Sequence, residues 1–377
     1  MIYLDHAALA PMPAAVVGAM TDAARDAWGN PDSVHAAGRR ARARLEQARA
    51  EIAALLGAPP GEIRLATRGG QALERAIRLG LERRAGALAL TPLEHPSILR
   101  IAERAGRPMT WLPARAGRVD AAASATALRH AAVVVVSALN HELGTLVDLA
   151  AVRAAAPQAW LVVDAVQAAP WIDLRPLRAL DAIVVVAAQK LGGPPGAAAL
   201  RLPETVAAAE RAEAELESAG WLAAIGFGEA CRLARLGGDG RRAPARRQGE
   251  RLRDGIRAVR PDAVFNGAPE SWGGPILNVS FPGYAATEVT GALDLAGVCV
   301  ARGSACLRRT TPGSPVVAAA YPDDPWRAVT ATRWSVGVET TDDQIDRACA
   351  TLARVLAVLP FRGDLAPAAR FTQAVSS

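Results

Sequence analysis

WLVVDAVQAAPWIDLRPLRALDAIVVVAAQKLGGPPG, residues 160–196, contains two short apolar runs, WLVVDA (160–165) and DAIVVVAA (181–188). Continuous apolar runs of this length read as strands buried on both faces. Each leads into a polar group: Asp164 lies at the end of the first and Lys190 just beyond the second. Working outward, AAVVVVSAL (131–139) runs into Asn140, GAAAL (196–200) makes a further strand, and a helical stretch occupies about 149–155. Alternation of this kind predicts an α/β fold with a mainly parallel sheet. Polar groups at the carboxyl ends of its strands then converge on a ligand crevice.

Of the 43 Lys and Arg side chains only one, Lys190, is lysine. Where charge alone is needed, arginine serves in this chain. A guanidinium stays protonated and is a poor nucleophile, whereas an amine in a desolvated pocket loses its proton and condenses with an aldehyde. A Schiff-base lysine working with pyridoxal phosphate also needs an acid to keep the pyridine nitrogen protonated. Asp164, with Gln167 three residues on, supplies it.

Composition excludes several classes of function. The 377 residues are 51% hydrophobic and carry a formal charge of +6, enough apolar material for one or two globular domains. The arginine-rich stretches alternate with Ala, Leu and Glu, and no stacking aromatics are interleaved, which argues against nucleic-acid binding. No apolar run approaches the roughly 18 residues that span a bilayer, and the N-terminus lacks a signal-peptide pattern. A cytoplasmic protein without a membrane partner is expected. Cys231, Cys299, Cys306 and Cys349 form no CxxC pair, so neither a metal site nor a disulfide framework is indicated.

Beyond residue 200 the sequence predicts a surface connection at LGGDGRRAPARRQ (236–248), strands in PILNVSF and GVCV, and an amphipathic helix near Ile345–Leu359. The expected division is a large domain over 16–255, and a small α+β domain formed by 1–15 and 256–377.

The motifs YLDHAALAP, GNPDSVHAAGRRAR, EHPSIL, NHELGT, VVDAVQAA, QKLGGPPG, GSAC and RWSVGVETTDDQID occur in one order along residues 2–358. Their order and approximate spacing resemble the NifS/IscS cysteine desulfurases, enzymes of the class V aminotransferase fold. The resemblance implies a fold-type I pyridoxal-phosphate enzyme, a seven-stranded-type sheet flanked by helices with a smaller α+β domain, and a homodimer. Lys190 would carry the cofactor, Asp164 pair with its ring nitrogen, and His95 stack on the ring and take part in proton transfer. Gln167 and Asn140 would bond the ring's phenolic oxygen or its surroundings, and Arg333 would hold the carboxylate of a small amino-acid substrate. Cys306 aligns with the nucleophile that takes sulfur as a persulfide and passes it to an acceptor, which the resemblance implies is a sulfur-acceptor protein. Arg308 and Arg309 beside it would favour its thiolate.

The chain departs from that family around the cofactor phosphate. The family's SAHK reads Ala187, Ala188, Gln189, Lys190, its SGGTEA reads RGGQAL, and only Ser218 offers a hydroxyl in AERAEAELESAGW. What remains is backbone: amides of Gly69, Gly70 and Gln71 at a helix start near Ala72, and an amide from Gln189. Each lost hydrogen bond to a charged group costs roughly 1.5–3 kcal/mol. His6 and His141 also replace asparagines. Three alternatives to desulfuration therefore stay open on the same scaffold, a lyase, an epimerase or an aminotransferase, beside a degenerate paralogue that binds cofactor weakly and acts as a scaffold.

Overall fold

In the computed structural model, which describes residues 1–204, 206, 220–303 and 313–367, the apolar runs are strands. The central sheet comprises β1 (Ile63–Ala66), β2 (Ala87–Leu90), β3 (Met109–Trp111), β4 (Ala131–Ser137), β5 (Trp160–Asp164), β6 (Ile183–Ala187) and β7 (Ala198–Arg201). Their spatial order is β1-β7-β6-β5-β4-β2-β3. Only β7 runs against its neighbours; the other pairings are parallel. The fold is the expected α/β class, a mainly parallel seven-stranded sheet flanked by helices.

Every residue of β4 and β6 is buried because helices cover both faces of the sheet. Strand periodicity divides the side chains in two. Val134, Val136, Val163, Val184 and Val186 face a core shared with Ile52 and Leu56 of the segment that includes α1 (Ala36–Leu55). Val133, Val135, Val162, Ile183 and Val185 face α2 (Gly69–Arg83) and α3 (Pro96–Arg104), through Leu73, Ile77 and Ile98. Each such side chain removed from water contributes about 1.5–3 kcal/mol, which fixes the register and hence where the strands end.

Residues 236–248 differ from the expected connection. They lie within α4 (Trp221–Val259), which breaks its helical geometry at Gly238 (φ 40°, ψ −129°) and then resumes. Ala and Arg favour helix, the glycine absorbs the break, and Pro244 lies inside the resumed helix six residues beyond it. Before the break, Phe227, Ala230 and Ala234 pack into the first core. After it, Ala245, Leu252 and Ile256 pack with Leu277, Val279, Trp334 and Leu352 in a third core. Residues of 239–255, expected with the large domain, thus pack against the smaller body.

That body is built on an antiparallel sheet of β8 (Val264–Asn266), β9 (Ile276–Ser280) and β10 (Ala331–Ser335). α5 (Asp342–Val358) covers it and starts in a capping box between Thr341 and Gln344. The N-terminal segment crosses between the two bodies. Ile2–Tyr3 pairs with Val298–Cys299, and Asp5 bridges to Ser335.

Candidate active site

The ends of β5 and β6 bring Asp164 and Lys190 to one edge of the sheet. Lys190 closes a short 3-10 turn after β6, and its Nζ donates to the carbonyls of Ala7 (2.7 Å) and Ala8 (2.5 Å). It is half-buried and directed to the seam between the two bodies. Gln167 Nε2 donates to the same Ala7 carbonyl at 2.7 Å, so N-terminal backbone ties both polar side chains together.

Asp164 is 8% exposed, and its Oδ1 accepts from the Val166 amide at 2.9 Å. Burial pushes its carboxyl up to about 6, against the opposing pull of that amide and of the Lys190 charge. A carboxylate held at such cost, beside a cation, suits a positively charged partner.

His95 caps the start of α3. Its Nδ1 lies 2.7 Å from Ser97 Oγ and accepts from the Ser97 amide at 3.2 Å. That bond places the proton of the neutral ring on Nε2. Burial, then the charges of Lys190, Arg100 and Arg333, depress His95 to about 4, so the ring is uncharged near neutrality. His141 packs edge-on against it, centroids 5.0 Å apart. Although 4% exposed, His141 has no hydrogen-bond partner on either ring nitrogen among the described residues; Nε2 lies 3.7 Å from Glu142.

Arg333 reaches the site from β10 and is 2% exposed. Nη1 donates to the His141 carbonyl (3.0 Å) and Nη2 to Asp5 (2.8 Å). The fork expected for a substrate carboxylate is thus shared with Asp5, and Nε is buried without an acceptor among the described residues. Asn140 is committed to the chain: Oδ1 accepts from the amides of Glu142 and Leu143, and Nδ2 donates to the Leu93 carbonyl. It holds the turn after β4 and keeps one amide hydrogen for another partner.

Of the three amides expected at the α2 start to cradle a phosphate, beside the one expected from Gln189, the structure leaves two. Gln71 donates its amide to Arg68 O, and its side-chain oxygen accepts from Thr67. Among the described residues Gly69 and Gly70, which head α2, have no acceptor for their amides, and Arg68 provides no side-chain cap. A Cβ on Gly69 would lie 3.4 Å from Val166 and 3.7 Å from Ala187, and one on Gly70 3.8 Å from Ser97. The open helix start therefore adjoins the segments carrying Asp164, Lys190 and His95. A helix N-terminus with free amides binds an anion. Gln189 adjoins Lys190, its carbonyl taken by the Ala10 amide. Ser218 and Cys306, with Arg308 and Arg309, lie outside the described residues.

Sequence reading assigned no role to Glu94. Its carboxyl is 2% exposed and accepts from the hydroxyls of Thr91 and Ser137; burial pushes it up to about 7, and the Asp164 charge adds to this. It stands in EHPSIL beside His95, but nothing in local pattern announces a buried carboxyl.

The pattern that defines the aminotransferase class-V family matches residues 2–348. The chain belongs to this family. Family members depend on pyridoxal phosphate. An IscS-like cysteine desulfurase of Mycobacterium tuberculosis is 31% identical, over 95% of this chain and 96% of that protein. A putative cysteine desulfurase, IscS 1, of Bacillus subtilis is 29% identical over 94% of this chain and 98% of its own length. Among solved structures, a NifS-like protein superposes with a TM-score of 0.85 at 21% identity, covering 95% of this chain and all of that one. The apo cysteine desulfurase of Thermococcus onnurineus gives 0.81 at 20% identity. These two likenesses show the same fold.

The residues present fit the family's cofactor. The open amides of Gly69 and Gly70 suit a phosphate, Asp164 a protonated ring nitrogen, the neutral His95 ring a stacking partner, and the Lys190 amine an aldehyde.

Proposed function

We propose that the chain is a pyridoxal-phosphate-dependent cysteine desulfurase that converts L-cysteine to L-alanine and passes the sulfur through Cys306 to an acceptor. The observation that carries this reading is the convergence of the chain's one lysine with Asp164, His95 and Arg333 at the seam reached by β5 and β6.

When bound, pyridoxal phosphate withdraws electrons from the substrate carbon attached to its nitrogen. Asp164, ionised and desolvated, holds a proton at the ring nitrogen. Its burial makes that pairing stronger than it would be in water. Lys190 Nζ would hold the cofactor's aldehyde carbon and, where the substrate amine takes that place, would be free to carry protons at the reacting carbon. His95 stays uncharged, holds its proton at Nε2 and keeps the ring plane. Arg333, shared between Asp5 and the substrate, orients the carboxylate by a charge-assisted bond.

The Cys306 thiolate is the sulfur acceptor in this proposal. The described residues on either side of it lie near Glu142: Ser314 Oγ donates to that carboxylate, and a Cβ placed on Gly303 (φ 81°) would stand 3.0 Å from it. In the family's manner a second copy of the chain completes the assembly. Leu9, Met12, Val17, Trp28 and Val34, all exposed apolar residues near the N-terminus, are the surface we assign to it. A cytoplasmic setting suits a reactive thiol.

Cysteine turnover, followed as alanine and sulfide under reducing conditions, tests the reading. The parent forms both, and Cys306→Ala loses sulfur release by at least tenfold while retaining the visible band of the bound cofactor. Unchanged sulfur release in that variant would assign the chain to a lyase, which expels sulfide without a protein thiol, and a cofactor-loaded parent that releases no sulfur from cysteine would point to an epimerase or aminotransferase reaction on another amino acid.

A further inference from the structure

We propose that the cavity between the second half of α4 and the β8–β9 sheet is a second binding site, for a phosphate-type oxyanion held by Arg253 and Arg257. The cavity has a volume of about 140 Å³ and lies against Leu143, Phe265, Asn266 and Trp272 as well as the two arginines. It is too small for a cofactor-sized ligand, which needs roughly 300 Å³ or more. A single phosphate group is the right scale.

Several arginines on or just after α4 are committed to acids, whereas the two that share the cavity wall are not. Arg246 pairs with Glu250 (3.2 Å), Arg251 with Asp346 (2.6 Å), and Arg260 with Asp262 (2.6 Å). Arg253 and Arg257 have neither an ion pair nor a hydrogen-bond acceptor among the described residues, and Arg253 Nε is buried unsatisfied. They lie one helical turn apart, so like charge is concentrated where no acid lines the cavity. Asp254 and Glu250, on the same turns, are not part of its wall.

The cations are held in place by aromatic rings. The Arg253 guanidinium lies 3.9 Å from the Trp272 centroid and 5.9 Å from Phe265, and Arg257 lies 5.3 Å from Phe265. Stacking fixes a guanidinium plane while leaving its edge for a planar or tetrahedral oxyanion. Nearby neutral donors are already used: the Gly267 amide by Tyr321, the Leu143 amide by Asn140, and the Trp272 indole by the Ile276 carbonyl. Recognition therefore falls to charge. Two guanidiniums match a group of charge near −2, which selects phosphate over a monocarboxylate.

Isothermal titration of protein preincubated with pyridoxal phosphate, at constant ionic strength, tests this with inorganic phosphate in one arm and glycerol 3-phosphate in the other. Saturable binding of either is expected, and the tighter of the two identifies the source. Arg253→Gln/Arg257→Gln should weaken it at least tenfold, and Arg257→Gln alone, at an exposed position that leaves the Trp272 stack intact, several-fold. Arg247→Gln, an exposed neighbour on the same helix, should leave it unchanged. No saturable binding to the parent, or equal affinity in the parent and the double variant with matching circular dichroism, would overturn the proposal. Failure of the cofactor to load would leave this outcome readable, because phosphate at the α2 start is indifferent to Arg253 and Arg257.

Discussion

Asp164→Asn should stabilise the protein in the absence of cofactor while weakening its hold on the cofactor. The carboxyl is buried, and its folded-state pKa is about 6 against 3.8 in the unfolded chain. A difference of about two units corresponds to ~3 kcal/mol at 1.36 kcal/mol per unit. Because the folded state holds the proton more tightly, the charge opposes folding: the penalty is full above about pH 6 and gone below about pH 4. Asparagine keeps an oxygen for the Val166 amide and carries no charge. The cofactor-free variant should therefore exceed its parent by ~2–3 kcal/mol at pH 8 and by about half of that at pH 5, measured by urea unfolding. Pyridoxal phosphate affinity, measured on the same samples, should fall at least tenfold. A variant no more stable than its parent at pH 8, or a gain that does not shrink toward pH 5, would refute the reasoning.

Arg333→Lys keeps the charge but cannot span Asp5 and the His141 carbonyl while offering an edge to substrate; KM for the amino acid should rise at least tenfold, with the visible spectrum of bound cofactor little changed. Gly144→Ala should destabilise the fold by roughly 2–4 kcal/mol, because Gly144 sits at φ 68° and a Cβ there would press into the Ile276 carbonyl. Thermal unfolding checks it, and a loss below about 0.5 kcal/mol would count against the packing described for the turn after β4.

The central sheet was legible because parallel strands covered on both faces appear as unbroken apolar runs, and their ends place Asp164 and Lys190 without further information. His95 and Arg333 became legible only through motif order, since an isolated histidine or one arginine among many has no distinguishing local pattern. The carbonyls of Ala7 and Ala8, which receive Lys190, carry no side-chain signature at all. Glu94 escaped notice for a related reason: burial of a carboxyl between two hydroxyls is a tertiary fact. The 236–248 stretch was read as a connection because its glycines and proline suggest one, whereas a single break at Gly238 lets helix resume and pack. Asn140 shows the converse, a residue expected at the site whose amide is largely spent on holding its own turn.

The chain's single lysine makes one covalent measurement unusually clean. Protein incubated with pyridoxal phosphate, reduced with borohydride and digested should carry a pyridoxyl phosphate group on Lys190, with the Met1 amine as its only rival. The account predicts near-stoichiometric labelling at Lys190 and its loss in Lys190→Ala. Labelling confined to Met1, or equal labelling of parent and variant, would contradict it.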